Sequence, residues 1–404
     1  MREALVLGDQ ADCLLVDLRV HPPELDRDPD YQQHTRGRGD HGLARTHARL
    51  VEELLVDRHR ADNPSGPPAR RASSHAARSL RTLAPVPAES ESNAAVCPAC
   101  GGELATWRWV PASEPALATV RFELRRCARC RSAVTIGDVA DDLHETGAYR
   151  PGAPRLHRAV TPLLQAFDRR RLTMLGVAPP ARLLDIGAGR GRFVAAARTA
   201  GYDAFGIEPS TRGVQAAAAI GAPVRQTTIE QAQIPDASLD AATLWHVLEH
   251  LDGSDAGVEQ PASWLRPGGR LLVGVPNLAS FQARIGAERW YHLDVPRHRV
   301  HFTPAGLHEL LHRHGFEVLR TYHVLLEHNP FGMWQSLLSR VTVHPSYLYN
   351  VLKRNAPLRS PDLVLTALGL PLAPLAALAE LIAGALRHGG TIAVLARKQA
   401  GRLG

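Results

Sequence analysis

Lysine is nearly missing from this chain: two residues, Lys353 and Lys398, stand among 47 basic ones. Positive charge is therefore carried by arginine, whose planar guanidinium can grip an anion through two parallel hydrogen bonds. No GK[ST] follows the glycine-rich stretch near residue 187, which excludes a P-loop phosphate cradle. No long apolar run opens the chain. MREALVLGDQ turns acidic within three residues, so a secretory signal is not expected and a reducing, cytoplasmic compartment is. No internal repeat is visible. Residues 97–150 hold seven acidic and seven basic residues, with only Trp107, Trp109, Phe122 and Tyr149 as aromatics. They lack the interleaved basic and aromatic surface of an RNA-binding module, so nucleic acid is not an expected partner.

What is present suffices for more than one domain. The 404 residues are 45% hydrophobic and 22% charged, a globular balance. The net charge of +7 is uneven: residues 151–404 carry 27 Lys/Arg against 18 Asp/Glu. That excess suits an acidic or phosphorylated substrate or an anionic membrane surface. It also suits an ordinary charged exterior. Residues 1–92 show little apolar periodicity beyond an amphipathic helix over 43–57, and 59–96 read as a Pro/Ser/Ala/Arg-rich linker. Residues 93–150 contain four of the five cysteines. From 151 to 404, strand and helix patterns alternate, which predicts a parallel sheet covered by helices. Strands are expected at 181–186, 203–207, 222–226, 240–245, 270–275, 316–324 and 391–397. Helices are expected at 155–176, 191–200, 210–219, 257–265 and 304–314.

The most informative stretch is Leu183-Leu184-Asp185-Ile186-Gly187-Ala188-Gly189-Arg190-Gly191-Arg192-Phe193, an apolar strand running into a glycine turn that opens a helix. Glycine tolerates positive φ and lets a ligand approach the backbone, and the helix start offers free N–H groups. About 20 residues on, Gly206-Ile207-Glu208 ends a second strand in an acid that can accept both ribose hydroxyls of an adenosine. Nicotinamide-binding folds use the same loop and acid. Here, however, Arg192 occupies the place of the third glycine in GxGxxG.

LLDIGAGRGRF, GIEPS, LDAATLWHVLEHL and LRPGGRLLVGVPN follow in this order over about 181–324. Together they resemble class I S-adenosylmethionine (SAM)-dependent methyltransferases, most of all the small-molecule type 11/type 12 group. The resemblance implies an α/β fold: a Rossmann-like seven-stranded sheet with helices on both faces and an antiparallel last strand. By position it implies that Asp185, Gly187, Gly189 and Gly191 line the methionine and ribose part of SAM, and that Glu208 holds the ribose. Many relatives bind the adenine amine with an Asp after strand three. This chain reads Arg225-Gln226-Thr227-Thr228-Ile229-Glu230 there, which turns the expectation to Thr228 and Ile229. Trp245 and His246 are expected to border the methionine part.

His246-Val247-Leu248-Glu249-His250 also matches HxxEH, the inverted zinc-protease motif, which on a helix would put both histidines on one face. Its place after the fourth strand favours the methyltransferase reading, with Glu249 and His250 steadying the next helix or loop. Downstream, Trp290-Tyr291-His292-Leu293-Asp294-Val295-Pro296-Arg297-His298-Arg299-Val300-His301-Phe302-Thr303-Pro304 gathers aromatics, histidines and arginines, and a similar run recurs in that methyltransferase group. An alcohol acceptor benefits from a general base, for which His298 or His292 is the candidate. Arg297 or Arg299, with Tyr291, is the candidate for binding the acceptor. Thr303 followed by Pro304 is a helix start.

Cys97-Pro98-Ala99-Cys100 and Cys127-Ala128-Arg129-Cys130 have zinc-ribbon spacing, and four thiolates close a tetrahedral, structural zinc shell. Near the other end, 363–386 is almost wholly apolar, but Pro371, Pro374 and Glu380 argue against a straight membrane span. It reads as a cap that dips into a membrane surface, which would place the protein peripherally at the inner face, or as a buried hairpin or homodimer interface. The helical insertion spans about 326–389. The expected activity is methyl transfer from SAM to a small-molecule acceptor, at an O-linked site on a sugar, glycan precursor or secondary metabolite. The alternatives are a sugar C-methyltransferase and a SAM-binding regulator without turnover.

Overall fold

A computed structural model describes residues 96–113, 117, 119–137, 157–352, 358 and 361–400. The expected helix over 43–57 and the linker up to residue 95 lie outside the described residues.

The first elements among the described residues are three antiparallel strands, β1 (Leu104–Pro111), β2 (Arg121–Cys127) and β3 (Ala133–Ile136). Helix α1 (His157–Leu175) leads into the main sheet. The βα alternation then runs β4 (Arg182–Ile186), α2 (Arg192–Thr199), β5 (Asp203–Glu208), α3 (Thr211–Ala218), β6 (Val224–Gln226), β7 (Leu239–Trp245), α4 (Ser254–Trp264) and β8 (Leu265–Pro276). A connecting region follows, with α5 (Phe281–Gly286) and the two-residue strand β9 (Val300–His301). Then come α6 (Pro304–Arg313) and β10 (Phe316–Tyr322), the cap helices α7 (Asn329–Leu338), α8 (Tyr347–Leu352), α9 (Pro361–Leu368) and α10 (Ala373–Ala385), and finally β11 (Thr391–Lys398).

The main sheet has the order β10-β11-β8-β7-β4-β5-β6, with β11 antiparallel to both neighbours and the other pairs parallel. This is the expected seven-stranded architecture. Strand order reverses between β4 and β7, so their carboxyl ends open a crevice where ligands bind in such sheets. The central strands are apolar on both faces because helices cover both. Leu184, Leu244, Ala242, Leu271 and Val273 are inaccessible to solvent, and each such leucine contributes about 1.5–3 kcal/mol of burial.

The first three strands do not form a sheet alone. Their order is β1-β2-β3-β9, so the fourth strand comes from the stretch around His298. The four paired cysteines also belong to the main hydrophobic core, together with Phe302, Leu307 and Leu310. The cysteine module and the sheet domain are thus packed as one body.

Candidate active site

The glycine loop lies between β4 and α2. Gly187, Gly189 and Gly191 have φ of 69°, 55° and 71°, the left-handed region that glycine alone enters freely. Space demands glycine as well. A Cβ on Gly187 would lie 2.4 Å from Val247, and one on Gly191 2.7 Å from Ala222. The Glu208 carboxylate is buried at the end of β5 and accepts from the backbone N–H of Gly189 (2.9 Å) and of Ser210 (3.0 Å). Burial raises its pKa. Thr228 is half-buried just past β6, and Ile229 is buried in the core beside it. A carboxylate anchored at a Cβ-free loop fits an adenosine ribose, so these residues suit SAM.

Asp185 is buried under the loop, accepts from the Thr243 hydroxyl and lies 3.5 Å from Arg171 of α1. Arg171 stacks over Phe193 (4.0 Å) and Trp245 (4.7 Å). Sequence reasoning missed Arg171. The signal was the run Arg169-Arg170-Arg171, of which only the last faces inward. Helix α2 is tied to the cap side, because Arg192 pairs with Asp168 (3.2 Å) and with Glu327 (3.1 Å).

At the end of β7 the HxxEH segment is a short 3-10 turn, not a longer helix, so its two histidines part company. His246 has φ of +56°, which strains a residue with a side chain and is tolerated where function requires it. Its Nδ1 is 2.9 Å from Glu249 Oε1. A carboxylate only accepts, so Nδ1 donates to Glu249, and in the neutral imidazole the lone pair is then on Nε2. Burial pushes the Glu249 pKa up, but the hydrogen bond from His246 and the fields of His246, His250 and His298 outweigh this and hold it at about 2. The His246 ring faces His292 (centroids 6.4 Å) and His328 (4.4 Å). Burial lowers the pKa of both neighbours well below the usual histidine value, which keeps them neutral.

This place holds a concentration of unsatisfied buried polar atoms. Arg171 Nε, Trp245 Nε1, His246 Nε2, His292 Nε2 and His328 Nε2 are buried without a hydrogen-bond partner in the protein. Eleven other buried side-chain atoms among the described residues also lack a hydrogen-bond partner, but these five lie together, the arrangement expected where a ligand supplies the partners.

The second histidine, His250, donates from Nδ1 to Arg297 O (3.1 Å), and His298 donates from Nδ1 to His292 O (2.9 Å). Their rings meet edge to face at 4.6 Å, with Glu249 close by. Burial lowers the His298 pKa to about 4. His298 therefore has its Nδ1 committed to the His292 backbone and its ring beside Glu249 and His250. The two arginines expected to take the acceptor are turned to the protein itself. Arg297 forks onto Asp294 through Nε (3.0 Å) and Nη2, and Arg299 pairs with Asp252 and donates to Gly137 O (2.8 Å). Tyr291 meets His292 (4.7 Å), Phe331 (5.6 Å) and Tyr349 (5.4 Å), so the cap helices supply an aromatic wall beside the histidines.

The cysteine module braces this stretch. Thr135 donates from N to Arg299 O (2.9 Å) and from its hydroxyl to His298 O (2.7 Å). With that proton committed, the hydroxyl accepts from His301 Nε2 (3.0 Å). Thr303 caps α6 as expected and also donates to Cys130 O (2.6 Å). The four buried Sγ atoms lie within 4.8 Å of one another, with Cys97–Cys130 at 3.6 Å and Cys100–Cys127 at 3.4 Å. These are not disulfide distances. They approach the roughly 3.8 Å edge of a tetrahedron with Zn–S bonds of about 2.3 Å.

A family model described as "Methyltransferase domain" matches residues 155–321. The chain is 30% identical over 233 residues to the ubiquinone biosynthesis O-methyltransferase of Rhodopseudomonas palustris, a match that covers 52% of this chain and 87% of that protein. It is 35% identical over 95 residues to a probable S-adenosylmethionine-dependent methyltransferase of Mycolicibacterium smegmatis, which spans 24% of this chain and 35% of the relative. Among solved structures, a SAM-dependent methyltransferase from Archaeoglobus fulgidus aligns with a TM-score of 0.39 at 20% identity, over 58% of this chain and 93% of that one. The first of these relatives is matched over most of its length, and the chain accordingly belongs to the SAM-dependent methyltransferase family as an enzyme that takes its methyl group from S-adenosylmethionine.

Proposed function

We propose that the enzyme methylates a hydroxyl group on a small molecule, with His246 as general base and Glu249 as the group that orients it. The observation that carries this is the His246 ring. Its Nδ1–H is held by a buried, ionised carboxylate, and its Nε2 is buried, unpartnered and set at the carboxyl end of β7, beside the glycine loop. SAM supplies an electrophilic methyl group when bound, and Glu208 with the glycine loop would hold it. What remains for the protein is to align the hydroxyl with that methyl and to accept its proton. His292 and His328, kept neutral by burial, can fix the hydroxyl by hydrogen bonds. Tyr291, Phe331 and Tyr349 offer rings to an apolar body, which suits a hydroxylated carbocycle or a hydrophobic glycan precursor. The R. palustris relative, an O-methyltransferase by name, supports oxygen as the methylated atom. In this reading His298 holds the backbone of His292 rather than taking the proton itself.

We also propose that Cys97, Cys100, Cys127 and Cys130 hold a structural zinc ion. Four sulfurs leave no open coordination position, so the ion would have no part in the chemistry.

The test is single-turnover methyl transfer with His246→Ala and Glu249→Gln, on a panel of hydroxylated aromatic and sugar acceptors. His246→Ala should lower the rate by roughly 10²–10⁴-fold, the usual contribution of a general base, while affinity for S-adenosylhomocysteine (SAH) is kept. Near-normal turnover in that variant would remove His246 from the mechanism.

A further inference from the structure

The helices α9 and α10 are inside out. From Pro361 to Leu386 the only polar side chains are Asp362, Thr366 and Glu380, and all three are buried. Ten Leu, Val and Ile side chains of the same stretch are 39–71% exposed, with Leu368, Leu386 and Leu375 the most open. The acids face inward because they have work there. Asp362 accepts from the N–H groups of Val343 (2.7 Å) and His344 (3.0 Å), and Glu380 accepts from Gly390 N (2.7 Å). Val341 and Val343, 63% and 65% exposed, extend the apolar face beside Asp362. Its border is basic. Arg387 and His388 follow α10 and are exposed, as is Arg340 next to Val341.

We propose that this face docks on an anionic lipid bilayer, with α9 and α10 lying in the interfacial plane. A contiguous apolar surface of this kind marks an interaction site. A protein partner of standard size would make about one hydrogen bond per 100–200 Å². Here 26 residues present no polar side chain outward, which suits acyl chains. The basic border complements anionic headgroups. The geometry is that of a peripheral contact. α9 and α10 have 8 and 13 residues, about 12 and 20 Å, and are bent by 41° at the break between them, so neither crosses a core of about 30 Å. Strand β11 rejoins the sheet at Thr391, which keeps both ends of the pair on one side.

The docked face backs directly onto the site. Met333 and Trp334 of α7 pack on Ala376 of α10, and Trp334 Nε1 donates to Gly369 O (2.8 Å) at the bend. On the opposite side of α7, a Cβ at Gly332 would lie 2.7 Å from His292 Nε2. One helix therefore separates the bilayer from the acceptor histidines, and an acceptor dissolved in the membrane could be met where it resides. This last step rests on the O-methyltransferase reading; the docking itself does not.

The experiment is flotation of the full chain with vesicles of phosphatidylcholine, alone or with about 30% phosphatidylglycerol. The parent should float with the anionic vesicles and be released in part by salt. A Leu368→Glu/Leu375→Glu/Leu378→Glu variant should lose at least tenfold in partitioning, with unchanged SAH affinity as proof of folding. His246→Ala should float like the parent, so failure of the base assignment and failure of docking read separately. Equal flotation of parent and triple variant would overturn the proposal. So would an absence of flotation together with a parent dimer that the triple variant dissociates, which would make the face a contact between two copies.

Discussion

Replacing Glu380 by glutamine isolates the energetic consequence of turning α10 inside out. The carboxyl is buried, accepts from Gly390 N and has the Gln282 and Asn329 side-chain amides beside it. Burial raises its pKa to about 7, against the ordinary 4.5. The folded chain therefore binds this proton more tightly than the unfolded chain does. Its stabilising effect is complete below about pH 4.5 and is lost as pH rises through 7. A gap of roughly 2.5 pH units at 1.36 kcal/mol each makes the folded state about 3 kcal/mol weaker at pH 8 than at pH 4.5 on this account alone. Glutamine keeps an acceptor for Gly390 N and cannot ionise. Thermal unfolding followed from pH 4.5 to 8.5 should therefore show the two proteins converging in acid. The variant should gain roughly 6–12 °C over the parent at the alkaline end, at about 2–4 °C per kcal/mol. Other titrating groups cancel in the difference between the two curves. A constant difference across the range, or a variant weaker at every pH, would refute the reasoning, because both would mean that Glu380 is already ionised throughout.

Three further outcomes follow from the site. Glu208→Ala should weaken SAH binding by roughly 10- to 150-fold, the loss of one charge-assisted hydrogen bond, as calorimetry would read it; unchanged affinity would move the ribose elsewhere. Elemental analysis should find one zinc per chain, and Cys100→Ser/Cys127→Ser should lose it. Because Thr135 and Thr303 tie the cysteine module to the His298 segment, that variant should lose at least tenfold in turnover while SAH binding is nearly kept; normal turnover would reduce the module to an appendage. His298→Ala should lower kcat without abolishing it, through loosening of the His292 backbone it donates to, and a loss as large as that of His246→Ala would return the proton to His298.

The sheet was legible because its strands are short apolar runs bounded by glycine and proline, and the observed ends differ from the expected ones by at most a few residues. The largest difference is β8, which begins at Leu265 rather than 270 because Leu239 pairs with Leu265 across the LRPGG turn. What could not be read was set by tertiary contact. β9 is two residues long and exists only because Val134 and Ala133 pair with it. His246 and His250, one helical turn apart in sequence, would share a face only if the segment were a helix. The positive φ at His246 and the 3-10 turn after it separate them, and no spacing rule carries that information. The arginines of the PRHRVHFTP stretch looked available because their partners, Asp294 apart, are far along the chain: Asp252 and Gly137 for Arg299.

These long-range ties explain how the site can be both buried and specific. Its polar atoms come from α1, the end of β7, the loop after α5 and the loop after β10, segments with no common element to align them. Two structures of different chemistry hold them. On one side, the cysteine module pins the His298–Thr303 backbone through hydrogen bonds that tolerate little displacement. On the other, α7 presses Gly332 against His292 and is itself pressed by α10. The first depends on four thiols acting together. The second depends on a helix whose outward face gains nothing from water. With zinc bound and the cap covered as proposed, the acceptor pocket would be firmest, and the enzyme would be more active at a membrane surface than free of it.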